Sequence, residues 1–225
     1  MDRVIKVKVN SISDISEDKR SLVDELALSD PSFCNWGYIK KMCNSIIDGK
    51  RTGGRLSVLD MSHSKIIYGG VIHNPDLKDC ITLRHIIFPH DIDLSAYEGG
   101  SSFSGCKSLE SIKVSNGTGG SFGKAYDIDG VLFFKEYKTI SLIKYPANKG
   151  TEYKIPSDTK YICKCAFEDC QLTRLIMPQV PPSCEEDSFV GVNLTALTFV
   201  VPKGSYDSYW LHPVFGKFNL EEMDE

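Results

Sequence analysis

The chain has no run long enough to span a membrane. Its longest uncharged stretch, Ser188 to Pro202, stops short of the ~18 residues a span needs and is broken by Asn193, Thr195 and Thr198. There is no excess of positive charge either. A formal net charge of −4 gives no general attraction to a phosphate backbone, so nucleic acid is not an expected partner. The opening MDRVIKVKVN has neither an apolar core nor a small-residue cleavage site, so it shows no signal peptide. Such a chain either stays inside the cell or is a trimmed form of a longer one. Histidine is sparse, with five residues and no i, i+4 pair to hold a metal. Eight cysteines in 225 residues fall well below the ~8–10% of a disulfide scaffold. The chain does have a 41% hydrophobic content, enough for a packed core.

The apolar residues repeat. CITLRHIIFP from Cys80, FSGCKSLESIKV from Phe103 and AFEDCQLTRLIMP from Ala166 align, and FVGVNLTALTFVVP from Phe189 is a looser copy. Leu83 and Leu109 are 26 residues apart, as are Ile86 and Ile112; Phe167 and Phe189 are 22 apart, as are Leu172 and Leu194. A period of roughly 20–29 residues around L-x-x-L/I-x-L is that of a leucine-rich repeat. One such unit cannot bury its apolar face alone, so units must stack. Between Phe103 and Phe167, the segments Val131–Phe134, Ile140–Pro146 and Tyr153–Pro156 read as strand stubs.

Strand alternation assigns the faces. Ile86, Phe88, Ile112, Val114, Leu175, Met177, Leu197 and Phe199 should point inward. His85, Ile87, Ser111, Lys113, Arg174, Ile176, Ala196 and Thr198 should then share the outer face of one sheet.

Taken together, AFEDCQLTRLIMP, SFSGCKSLESIKV, the Asp129-Gly130-Val131-Leu132 link to Leu142-Ile-Lys-Tyr145-Pro146, and the close from Val201-Pro202 to Phe218 resemble the BspA-like leucine-rich repeat proteins of anaerobic bacteria. The resemblance covers residues 56–218. It departs from the pattern at Cys163 and Cys165, at the short Gln179–Pro182 linker, and at Val192-Asn193 where a cysteine is usual. It implies an α/β leucine-rich-repeat solenoid: short parallel strands in a right-handed superhelix behind a helical N-terminal cap. One domain spans 1–225, with the cap at 1–50, repeats at 51–205 and a C-terminal cap at 206–225. The helical cap is read from Leu22, Val23 and Leu26 within 16–28, and from Trp36 to Ile47 with Asn35 as N-cap. Val4–Val9 reads as an edge strand, and Cys34 as packing within the cap.

Other motifs compete with a purely structural role. Asp127-Ile-Asp129-Gly130 resembles the first motif of haloacid-dehalogenase-type phosphatases, where one carboxylate attacks phosphorus and the other acts as acid and base. Its upstream flank makes a poor strand, however. Asp127, Asp129, Gly130 and Glu136 also fall at positions 3, 5, 6 and 12 of a calcium loop, but Ala125 occupies position 1 and the flanks are not helical. Cys163, Cys165 and Cys170 could hold a soft metal or form a Cys163–Cys170 bridge, although no histidine lies nearby in sequence. Asn116-Gly-Thr118 and Asn193-Leu-Thr195 are glycosylation sequons by pattern only, and Gly117–Gly123 lacks a phosphate-loop context.

The resemblance therefore implies a non-enzymatic binding or adhesion protein at the cell surface or secreted, needing no metal or cofactor. Its ligand would be a protein or a glycan. The candidate contact residues are His85, Ile87, Ser111, Lys113, Arg174, Ile176 and Thr198.

Overall fold

A computed structural model describes residues 3–30, 36–64, 75–90, 92, 99–115 and 123–224. Cys34, Asn35 and the sequon at Asn116 lie outside these.

Short alternating segments pair in parallel. Strands β1 (Lys6–Val9) and β2 (Glu25–Leu28) lie side by side, and a small antiparallel ribbon of β3 (Ile46–Ile47) and β4 (Lys50–Arg51) follows. The sheet then continues through β5 (Val58–Asp60), β6 (His85–Phe88) and β7 (Ser111–Val114). Val7, Leu26, Leu59, Ile86 and Ile112 stand in register across this first ladder. The last four of these are buried.

The N-terminal region departs from the helical reading. Helix α1 covers only Glu17–Arg20, and α2 covers Trp36–Met42. Glu25–Leu28 is a strand with alternating burial, because Leu26 and Leu28 face the core while the backbone pairs with β1 and β5. Long-range pairing satisfies this backbone better than an isolated helical turn would, and tertiary context overrides propensity. Leu22, expected on the helical stripe, is 48% exposed. Two strands of the first ladder, β1 and β2, therefore lie within residues 1–50.

The expected single outer sheet is also divided. A second parallel ladder comprises β11 (Glu152–Lys154), β13 (Arg174–Ile176), β15 (Thr198–Val201) and β16 (Asn219–Glu222), with Tyr153, Leu175, Phe199 and Leu220 in its inward row. Ile112 and Leu175 thus lie on different sheets. Between the ladders, β8 (Lys124–Ile128), β9 (Val131–Glu136) and β10 (Thr139–Lys144) form an antiparallel meander. This meander continues in parallel to β12 (Thr159–Ile162) and β14 (Ser183–Cys184). Its first turn is Asp129-Gly130, with φ of 50° and 74°, the two-residue hairpin that Asp-Gly favours. That turn docks on β7: Ile112 N–H donates to Gly130 O at 2.9 Å, and Val114 N–H to Asp127 Oδ1 at 2.9 Å. The ladder beyond β7 is therefore occupied by the hairpin, and the next repeat strand resumes only at β11.

Strand β9 is buried on both faces. Leu132 and Phe134 pack into one hydrophobic cluster with Ile86, Phe103 and Ile112, while Val131 and Phe133 pack into another with Phe167, Leu175 and Phe199. A continuous apolar run is what a doubly covered strand requires.

The return turns stack as well. Asp79, Gly105, Asp169 and Gly191 all have positive φ, and each precedes a core residue: Cys80, Cys106, Cys170 or Val192. Lys107 pairs with Asp169 at 3.3 Å, joining the turn of the Phe103 unit to that of the Phe167 unit. Phe167 and Phe189, one period apart, stack with ring centroids 5.0 Å apart and planes 1° from parallel. The C-terminal end is covered by α3 (Tyr206–Trp210), whose Tyr209 is fully buried and donates to Pro178 O at 2.7 Å.

Candidate binding faces

Each ladder carries two outward rows. On the first, Lys6, Glu25, Val58, His85 and Ser111 form one row, and Lys8, Ala27, Asp60, Ile87 and Lys113 the other. On the second, the rows are Glu152, Arg174, Thr198 and Asn219, and Lys154, Ile176, Val200 and Glu221, of which Val200 is buried. The structure thus brings His85, Ile87, Ser111 and Lys113 together on one face, and Arg174, Ile176 and Thr198 on another. All seven keep part of their surface in solvent. Ala196 sits in the turn before β15 rather than in a row.

The charged groups on these faces organise one another. His85 Nδ1 lies 3.0 Å from Ser111 Oγ, and Nε2 lies 3.6 Å from Glu110 Oε2. Arg84 grips Glu110 through Nε at 2.8 Å and Nη2 at 2.7 Å. Arg174 bridges Glu152 at 3.6 Å and Glu221 at 3.3 Å. Exposed pairs of this kind are worth only about 0–1 kcal/mol, so they shape the face more than they hold the fold. Lys113 and Lys8 have no ion-pair partner among the described residues.

Sequence reasoning overlooked the N-terminal part of the first face. Lys6, Lys8, Glu25, Ala27, Val58 and Asp60 rim a shallow groove of about 280 Å³. The alternation in Lys-Val-Lys-Val and Glu-Leu-Ala-Leu was the available signal. A larger groove of about 580 Å³ lies on the sheet of β9, β10, β12 and β14, lined by Phe134, Glu136, Ser141, Lys160, Tyr161 and Glu185 among others. There Tyr161 donates to Glu185 Oε1 at 3.2 Å, and burial together with that carboxylate pushes the phenol up to about 12.

Asp127 is occupied structurally. Its Oδ1 accepts from Val114 N–H, and its Oδ2 from Gly130 N–H at 3.1 Å. The Asp129 side chain is 87% exposed and pairs with Lys149 at 3.1 Å. The upstream flank, expected to make a poor strand, is strand β8 with Asp127 near its end; the chain turns straight back through Asp129-Gly130, and both Asp127 oxygens are committed to backbone N–H groups. The calcium-loop positions also separate: Asp127 lies opposite Leu132, while Glu136 lies at the far end of β9 opposite Thr139.

The cysteines pack. Cys163, Cys165 and Cys170 are buried and take part in no disulfide among the described residues. Burial pushes Cys163 and Cys170 up to about 12, so both stay protonated at neutral pH. Among the described residues no group of three His, Cys, Asp or Glu side chains converges as a metal set. Cys184 pairs in register with Ile162 on β12, which accounts for its place in the repeat. Nothing in the local pattern pointed to Lys144. It is 1% exposed, donates to Cys165 O at 2.8 Å and pairs with Glu168 Oε2 at 3.6 Å.

Residues 138–210 match a family model described as a BspA type leucine-rich repeat region. About a third of the chain is thus similar to that family's repeats. The matched stretch runs from the turn before β10 to the end of α3 and takes in most of the second ladder. The strand-rich architecture fits a leucine-rich-repeat fold. No curated protein matches the chain. Among solved structures, the pneumococcal vaccine antigen PcpA aligns with 90% of this chain and 68% of its own, at 13% identity and a TM-score of 0.39, too low to bear on the site. No helix among the described residues is long and apolar enough to cross a membrane.

Proposed function

We propose that the chain is a non-enzymatic binding protein that recognises a protein or glycan through the outward faces of its two ladders. In this reading, residues 1–225 form one capped solenoid whose repeats begin at β1, and it works at the cell surface or in secreted form. The observation that carries it is the in-register outward rows. They set partly buried apolar side chains, Ile87 and Ile176, among basic and hydroxyl groups, Lys113, Arg174, Ser111 and Thr198. Stacked strands present such rows as an extended, rigid contact surface. The similarity to BspA-type repeats and the wholly structural use of Asp127 support binding over catalysis.

The test is a binding screen of the chain against matrix proteins and a glycan array. A saturable ligand whose binding weakens in Lys113→Glu or Arg174→Glu supports the reading. A ligand indifferent to both replacements sends recognition elsewhere on the molecule.

A further inference from the structure

The two ends of the strand stack differ in charge and in covering. At the N-terminal end, β1 pairs with β2 on one side and with no strand on the other among the described residues. The Ile5 and Val9 carbonyls accept bonds from the β2 side, so alternation turns the backbone N–H and C=O of Lys6 and Lys8 toward the open edge. Beside that edge lies an apolar groove of about 460 Å³, lined by Ile5, Val7, Val9, Ile15, Leu22 and Val23 among others. Val4, Ile5 and Leu22 are 54%, 37% and 48% exposed. The segment is basic, with Arg3, Lys6 and Lys8.

At the other end, β16 pairs with β15 alone among the described residues. Its segment is acidic, with Glu221, Glu222 and Asp224. Helix α3 packs against β16 and exposes Trp210 at 57%, with Leu211 just beyond it at 79%.

We propose that a second copy of this chain docks head to tail, its β16 adding in parallel to the open edge of β1. Both ladders are parallel, so such a contact continues the pairing already inside the molecule. Inward side chains must meet inward ones, since a one-residue slip turns every side chain over. Leu220 then joins the row of Val7, and Glu221 falls beside Lys8, a cation with no ion-pair partner among the described residues. The apolar groove receives the exposed side chains at the partner's α3. A heterologous contact of this kind does not close at two copies but extends.

Sedimentation velocity over a range of concentrations tests this, with circular dichroism verifying the fold of each variant. The wild type should pass from monomer to trimers and longer species. Lys8→Pro, which removes an edge N–H without touching the bonds to β2, and Lys8→Glu should each weaken association by about tenfold or more. Glu221→Lys should do the same. An equimolar mixture of Lys8→Glu and Glu221→Lys should associate again, because each then offers the charge the other needs. A wild type that stays monomeric, a closed dimer, or folded variants that associate like the wild type would overturn the proposal.

Discussion

Leu132 and Phe133 are neighbours in the chain that pack into different hydrophobic cores, one with Ile86 and Ile112, the other with Leu175 and Phe199. Strand β9 is therefore a wall shared by the two halves of the molecule. Leu132→Ala and Phe133→Ala should each cost about 2–5 kcal/mol in chemical denaturation. Hydrogen exchange separates them. The Leu132 variant should speed exchange first at β6 and β7, and the Phe133 variant first at β13 and β15. Identical exchange patterns would mean that the wall does not divide the cores.

The hairpin tip holds the wall in place. Asp127→Ala leaves the Val114 and Gly130 N–H groups without their acceptor and should cost about 1–3 kcal/mol. Asp129→Asn keeps a residue that tolerates positive φ on an exposed turn and should change the melting temperature little. Equal sensitivity at the two positions would contradict the structural role given to Asp127.

The return turns carry a paired device. A Cβ on Gly105 would fall on Asp79 Oδ1, and one on Gly191 on Asp169 Oδ1, and both glycines have positive φ. Gly105→Ala and Gly191→Ala should each lose about 1–3 kcal/mol by thermal denaturation. Combining Gly105→Ala with Asp79→Gly should recover part of that loss, because the clash goes while the strain stays.

The thiols should resist labelling in the folded protein. Contact with Cys80 and burial hold Cys106 well above the usual thiol range, and burial pushes Cys163, Cys170 and Cys184 up to about 12. The reactive thiolate is therefore scarce at neutral pH. Peptide-resolved mass spectrometry after brief iodoacetamide treatment should find these four unmodified until denaturant is added.

Acid should loosen the C-terminal end. His212 Nδ1 accepts the N–H groups of Val214 at 3.2 Å and Phe215 at 3.3 Å, and burial lowers its pKa below the usual 6.5. Between the unfolded and folded values the unfolded chain binds the extra proton, so stability rises with pH across that window. The contribution is full above about pH 6.5 and is lost as the pH falls toward the folded value. Melting temperatures between pH 7.5 and 5, on the order of one point per half unit, should fall more steeply for wild type than for His212→Gln.

Much of the repeat was legible because its signals are local and periodic. Phe167 and Phe189 recur at one spacing and stack, and the Cys that follows each turn falls in the core. The break between ladders was harder to read. Val131-Leu132-Phe133-Phe134 looks like any strand stub, and only its burial on both faces distinguishes it, which requires knowing what lies on each side. The N-terminal misreading has a similar origin. Leu22, Val23 and Leu26 suit a helical stripe, yet Glu25–Leu28 also alternates, and pairing with β1 and β5 decided between them. Lys144 gave no sign because a buried lysine depends on Glu168 and the Cys165 carbonyl arriving from a later repeat. The outward rows could be listed strand by strand, but their grouping into two faces depended on the hairpin.

The binding account is tested most directly by immobilising a ligand found in the screen and comparing wild type, Lys113→Glu, Arg174→Glu and Lys160→Glu by surface plasmon resonance. Lys113 lies in an outward row of the first ladder, and Lys160 lines the groove on the β10–β12 sheet. The account predicts that Lys113→Glu, or Arg174→Glu for a ligand held by the second ladder, loses most of the affinity while Lys160→Glu retains it. Loss confined to Lys160→Glu would contradict it.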